Sequence, residues 1–204
     1  MKPVKINEYR KSIKFELVRA KLAFDEFFEY AGGFIIDNFD DTNVFAKIKL
    51  FDAYARWVGH LYESMLALVI IEDQNLVGEY SRSNVTDPAI QFEAQKSLKL
   101  FNTLVESGEI KLAGRIQINL DSNFASDLRV ARNKCSFHCT NNRIQSDILQ
   151  DFMDKHHHMA FWLYTEILNL HGKIDSECDK DLGAINQFFS AAAKFWHEYE
   201  DTLR

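Results

Sequence analysis

"INEYRKSIKFELVRAKLAFDEFFEYAGG", residues 6–33, decides the fold class. Its apolar positions are Ile6, Tyr9, Ile13, Leu17, Ala20, Phe24 and Phe27, separated by steps of three and four. A helix of 3.6 residues per turn gathers them on one face, whereas a strand would need every second residue. Gly32-Gly33 is expected to end the helix, because glycine accepts the left-handed stop conformation. The polar loop "DNFDDTN", residues 37–43, follows.

The same period recurs downstream. A second helix is expected from a cap at Thr42 or Asn43 to about Asp73. Its stripe is Phe45, Ile48, Phe51, Tyr54, Trp57 or Val58, Leu61, Met65 and Leu68. The stretch 75–87 reads as a surface loop. Asp87-Pro88 then predicts a helix start, with aspartate as cap and proline in the first turn. That helix would carry Phe92, Gln95, Leu98, Phe101 and Val105. Residues 107–122 contain an alternating "RIQINL" without an obvious partner strand, so an irregular segment or a short helix is expected. Ser122 is the expected cap of a helix burying Phe124, Leu128, Ala131 and Cys135. After "TNN" at 140–142, a helix to about Leu170 would bury Leu149, Phe152, His156, Met159, Leu163, Ile167 and Leu170. A last helix from about Asp181 would bury a stripe that includes Phe188 and Ala192. With only two prolines and eight glycines, few breakers interrupt these elements. The sequence predicts an all-α, antiparallel helical bundle of five to seven helices, forming a single domain over residues 1–204.

Composition narrows the function. The net charge of −6 argues against a general coat for polyanions, so any nucleic-acid site must be local. Residues 1–21 carry seven Lys/Arg against two Glu. That segment reads either as a solvated helix face or as a basic arm for phosphates. Three cysteines make no disulfide framework, and reduced thiols in a cytoplasmic protein are expected. The N-terminus lacks a signal-peptide core, and the longest apolar run, "MLALVII" at 65–71, is too short to cross a bilayer.

The chemistry-bearing stretch is "DLRVARNKCSFHC", residues 127–139. Arg132 is followed at once by Asn133, and His138 comes six residues after the arginine, at the end of an amphipathic helix. The spacing alone is expected by chance in a chain with seven histidines. In its helical setting, however, "ARNKCSFH" resembles the Arg-x4–6-His signature of the HEPN superfamily, where asparagine, aspartate or histidine often follows the arginine. Phe137 stands where many members have a small residue, and Cys139-Thr140 replaces the x-Tyr continuation of some toxins. The resemblance implies a helical, metal-independent ribonuclease of toxin–antitoxin or abortive-infection type, with no cofactor. It implies RNA as substrate, a homodimer with two motif copies facing each other, and, in one branch, a nucleotidyltransferase antitoxin as partner.

These residue types suit RNA cleavage. The 2′-hydroxyl must lose a proton as it attacks phosphorus, and the leaving oxygen must gain one. A histidine titrating near neutrality does either. A guanidinium forks onto two phosphate oxygens and meets the charge of the transition state. Arg132, Asn133 and His138 are the candidate catalytic residues, with Asn133 orienting a partner or the ribose. Arg129 and Lys134 flank them as candidate RNA contacts. On a continuous helix, residues six apart lie about 120° around the axis and roughly 9 Å along it. Either the helix unwinds before His138, or the second protomer completes the site.

Other readings stand beside this one. Arg132 pairing with a carboxylate and His138 ending a helix would make a non-catalytic, HEPN-like interaction or nucleotide-binding module. Arg56, His60 and Glu63 share a face of the second helix. They read as an internally paired polar face, or as support for the Arg132–His138 site and a wall of the RNA cleft. His156, His157 and His158 point about 100° apart, so they cannot all hold one metal ion. His156 falls on the apolar stripe and reads as a buried, hydrogen-bonded histidine. Cys135, His138 and Cys139 lack a second ligand pair for zinc. No Glu-x-x-His pair supports a di-iron centre, and no metal site is expected.

Overall fold

A computed structural model describes residues 6–36, 43–79, 82–109, 120–136, 147–171, 187–188 and 190–192. These residues are overwhelmingly helical, and none lies in a strand. The contacts divide the chain into two units, Met1–Gly172 and Lys173–Arg204. The first holds α1 (Ile6–Ile36), α2 (Val44–Glu72), α3 (Ser83–Glu106), α4 (Phe124–Ala131) and α5 (Ile148–His171). A 3-10 turn at Gln74–Leu76 follows α2, and a π-helical turn at Arg132–Ser136 continues α4. No described helix is long and apolar enough to cross a membrane.

α1 and α2 are antiparallel neighbours: Tyr30 meets Lys49, Glu26 meets Arg56, and Glu16 meets His60. α1 also runs against α5, with Phe27 near His157 and Phe24 near Phe161 and Tyr164. α3 and α4 pair the same way, Gln91 with Ala125 and Asp87 with Arg129. The result is a helical bundle. Its most enclosed side chains include Ile13, Leu17, Tyr54, Trp57, Leu61, Met65, Ile90, Phe124, Leu128, Phe152 and Leu163.

α2 is the central member. The Asn43 side chain caps it, accepting from the Ala46 amide at 3.1 Å. Between Ala53 and Ala67 every residue is buried except Arg56 and Glu63. A helix apolar on nearly all sides belongs inside a bundle rather than on its surface. Its first turns behave oppositely: Val44, Phe45 and Ile48 are exposed, although Phe45 and Ile48 were expected on the buried stripe. The buried position on these turns is Ala46 instead, one residue away from the expected Phe45.

Several expected boundaries move. α1 passes through Gly32-Gly33 to Ile36. Glycine costs a helix interior about 1 kcal/mol, which packing along a long tertiary face offsets. α3 begins at Ser83, not at Asp87, and carries Pro88 inside it. Its first turn is closed by Val85 and Thr86 amides donating to the Arg82 carbonyl. This frees Asp87 from capping. The stripe of α3 is therefore rephased to Thr86, Ile90, Ala94 and Leu98, and Phe92 is exposed. Gly108, at φ 78°, ends α3 in the left-handed conformation that glycine adopts without strain. Asn123, not Ser122, precedes α4, and Asp121 accepts from its amide at 2.7 Å. The expected buried face of α4 is observed, with Phe124, Leu128, Ala131 and Cys135 all inside. So is that of α5 from Leu149 to Ile167. Residues 110–119 and the turn at 140–142 lie outside the described residues. In the second unit, residues 187–188 and 190–192 are helical; Phe188 and Ala192 are exposed, against the expected burial.

Candidate functional site

α4 is short because it is a buried strut. Phe124, Leu128 and Ala131 are fixed in the core, and the helix then widens into the π turn that starts at Arg132. Such widened turns put an extra residue into the helical ladder and often accompany functional positions. Cys135, inside the turn, is buried and anchors it from below. The polar residues of the turn, Arg132, Asn133 and Lys134, are left toward the outside.

The Arg132 guanidinium has three neighbours. Nη1 donates to Asn133 Oδ1 at 2.8 Å. Nη2 donates to a carboxylate oxygen of Glu63, in an ion pair whose side chains remain about one-third exposed (34% and 30%). The ring of Tyr62 lies beneath, 5.6 Å from the guanidinium carbon to the ring centroid. Arg132 Nε is buried and has no hydrogen-bond partner among the described residues. Burial holds the Tyr62 phenol above its ordinary pKa, with Asp87 and Glu63 adding to the effect and Thr86 and Arg132 opposing it.

One turn back, Arg129 Nε donates to both carboxylate oxygens of Asp87 at 2.9 Å. Asp127, on the same helix, faces α5, where its carboxylate meets His156 Nε2 at 2.9 Å. Polar ties thus hold the short helix to three others: to α2 through Arg132, to α3 through Arg129 and the Ala125 amide, and to α5 through Asp127.

Arg129, Arg132 and Asn133 open onto a cleft of about 480 Å³. Glu63, Tyr62, Leu66, Ala67 and Ile70 of α2 form one wall, Tyr9 and Ser12 of α1 another, and Ser83 of α3 completes it. The chain matches no family model, no curated protein and no solved structure. What the site can do must therefore be read from its own groups.

The structure separates the candidates drawn from the sequence. Arg129, Arg132 and Asn133 come together at the cleft. Lys134 is exposed on the π turn and is not part of the lining. His138, with Phe137 and Cys139, lies outside the described residues. Arg56 and His60 turn to α1: Arg56 meets Glu26 at 2.6 Å and Asp52 at 2.8 Å, and His60 Nδ1 meets Glu16 at 2.7 Å. Neither lines the cleft. Their companion Glu63 does, so the three residues placed on one face of α2 serve two different neighbours.

The histidine run disperses as helix geometry requires. His156 is buried against Asp127, Phe124 and Phe152. His157 meets the Tyr54 hydroxyl at 3.2 Å, and His158 is exposed. Among the described residues no three His, Cys, Asp or Glu side chains gather in a metal-binding arrangement.

Sequence reading missed Tyr9, Ser12, Ser83 and the Leu66–Ile70 wall. By its period Tyr9 reads only as a core position. A hydroxyl at i+3 from it, Ser12, was the available hint that this face of α1 borders water as well as core.

Proposed function

We propose that the protein is a metal-independent endoribonuclease of HEPN type, acting in the cytoplasm as a toxin or phage-defence protein. The single observation that carries the reading is the placement of Arg132 and Asn133 at an open cleft, on a widened turn tied to three helices. A guanidinium held in this way meets a phosphodiester without first losing its own rotational freedom. Each Arg132 terminal nitrogen keeps a second N–H beyond its bonds to Asn133 and Glu63. Those donors suit the non-bridging oxygens of a phosphate.

In this reading the ribose 2′-oxygen attacks the adjacent phosphorus and loses its proton to an imidazole. The 5′-oxygen leaves with a proton, and a 2′,3′-cyclic phosphate remains. His138 supplies the imidazole as base or acid, Arg132 offsets the charge on the phosphoryl oxygens, and Asn133 orients the arginine. A two-fold homodimer brings two copies of the motif to one phosphodiester, and a nucleotidyltransferase-type antitoxin is the partner that would restrain it.

The competing reading is a helical interaction or nucleotide-binding module without catalysis. It draws on Glu63, whose carboxylate already neutralises Arg132. Purified protein incubated with a labelled RNA, with and without a chelator, separates the two. The ribonuclease reading requires cleavage in both conditions, cyclic-phosphate ends, and loss of cleavage in Arg132→Ala and His138→Ala. Expression in cells should arrest growth, and His138→Ala should relieve the arrest. Intact RNA and harmless expression would leave the module reading.

A further inference from the structure

The cleft extends well beyond Arg132, and the ribonuclease chemistry uses only one end of it. α1 and α2 run antiparallel, which sets Tyr9 and Ser12 alongside Leu66, Ala67 and Ile70. The far wall is apolar and aromatic, with neutral hydroxyls from Ser12 and Ser83 beside it. The charged end holds two guanidiniums one helical turn apart, with the Glu63 carboxylate paired to Arg132 beside them.

Arg129 is the less expected of the two. Its Nε is taken up by Asp87, yet its terminal nitrogens have no hydrogen-bond partner among the described residues. The side chain is part-exposed and lines the cleft. Asp87 therefore acts as a positioning residue: it grips one edge of the guanidinium and leaves the other edge for a ligand. Asn133 has a similar remainder. Its oxygen is occupied by Arg132, and its NH2 group has no hydrogen-bond partner among the described residues.

A ligand complementary to these groups has an anionic end, a flat apolar body and polar edges. It must fit about 480 Å³, which lies in the roughly 300–1,000 Å³ range of small-molecule sites and is far too small for a duplex. We propose that the cleft is a subsite for one unpaired nucleotide next to the scissile phosphate, with its own phosphate on the Arg129 terminal nitrogens. Its base lies against the Tyr9, Ala67 and Ile70 wall. The hydroxyls of Ser12 and Ser83 both donate and accept, so they meet the edge of any base and make the subsite tolerant of sequence. The assignment to RNA rests on the ribonuclease reading.

The test uses the intact chain and two non-cleavable probes, adenosine 5′-monophosphate and a short fluorescent DNA oligonucleotide lacking 2′-hydroxyls. Binding is followed by calorimetry and by fluorescence anisotropy. Wild type should bind both saturably. Ala67→Leu, which fills the cleft, and Arg129→Gln should each weaken binding about tenfold or more. Tyr9→Ala repeats the test if Ala67→Leu does not fold, as judged by circular dichroism. Absence of saturable binding, or affinity unchanged by these variants, overturns the subsite. RNA cleavage by wild type, run in parallel, keeps the two failures apart. Cleavage without nucleotide binding sinks the subsite alone; variant-sensitive binding without cleavage sinks the ribonuclease reading and keeps the subsite.

Discussion

α2 has two openings in an otherwise buried stretch, at Arg56 and at Glu63, and they differ in what their charges have left to do. At the first, Arg56 is gripped by Glu26 and Asp52 at 2.6 and 2.8 Å and does not line the cleft. At the second, Glu63 holds Arg132 beside a cleft, and the neighbouring Arg129 and Asn133 retain donors without partners among the described residues. Exposure does not separate them, since Arg56 is 32% exposed and Arg132 34%. Unspent hydrogen-bonding capacity next to a cavity does. The first opening closes a helix pair, and the second is where a ligand can be met.

The largest expected effect tests the scaffold behind the second opening. Leu128 is fully buried on the strut that carries Arg132. Leu128→Ala should cost about 2–5 kcal/mol of stability, read by chemical denaturation, because the cavity it leaves can only partly collapse. A loss below about 1 kcal/mol would mean that α4 is not anchored as described. The next effect is on function. Arg132→Ala should lower RNA cleavage by roughly 10²–10³-fold, the cost of removing one transition-state donor, while Arg56→Ala leaves it near wild type. Equal losses from both would erase the distinction between the two openings.

How far the sequence carries this comparison depends on the residue. The buried faces of α4 and α5 were legible because one apolar stripe meets one core. α2 was legible as a helix but not as the centre, since a helix enclosed on all sides does not announce which stripe matters. Its opening turns were misplaced because the large apolar Phe45 and Ile48 stand exposed there while the small Ala46 is buried. The start of α3 was missed because Asp87-Pro88 carries a strong local signal for a helix cap. Tertiary structure overrode it by using the aspartate to hold Arg129. Arg132 and Asn133 stood out in the sequence as a motif, but Glu63 is 69 positions away from Arg132, and only folding joins them. The same holds for Tyr9 and Ser83: a cleft assembled from four helical segments has no contiguous trace in a sequence.

Two smaller substitutions sharpen the contrast. Glu63→Gln removes the carboxylate paired with Arg132, so on the proposed ribonuclease reading binding of a non-cleavable DNA oligonucleotide should tighten several-fold. The matching change at the other opening, Glu26→Gln, should leave that affinity unchanged. Weaker binding in Glu63→Gln would show that the carboxylate serves to orient Arg132 rather than to occupy it. Arg56→Ala should cost about 0.5–1 kcal/mol in thermal or chemical unfolding, because its pairs with Glu26 and Asp52 are part-exposed and screened by solvent. A cost several times larger would make the first opening a structural keystone.

The smallest expected effect lies beneath the first opening, where Arg56 faces α1 and the Trp57 ring lies 5.7 Å from His157. Burial, helped by the neighbouring His158, lowers the pKa of His157 below its ordinary value of 6.5. Burial also raises that of Tyr54, so the phenol stays protonated, and its hydroxyl meets His157 Nδ1 at 3.2 Å. The folded chain thus holds His157 neutral where the unfolded chain would take up a proton. Above 6.5 both states are neutral and the residue contributes no pH dependence. As the pH falls below 6.5, the unfolded state gains protons first, so stability declines until the folded pKa is passed and then levels off. Melting curves at about pH 7.5 and about pH 5.5 should show a larger fall in midpoint for wild type than for His157→Gln. Equal falls would mean that the Tyr54 contact adapts to a charged imidazole at no cost, with the phenol turning to accept. A larger fall in the variant would reverse the sign of the argument, placing the protonated imidazole as the form that the fold prefers.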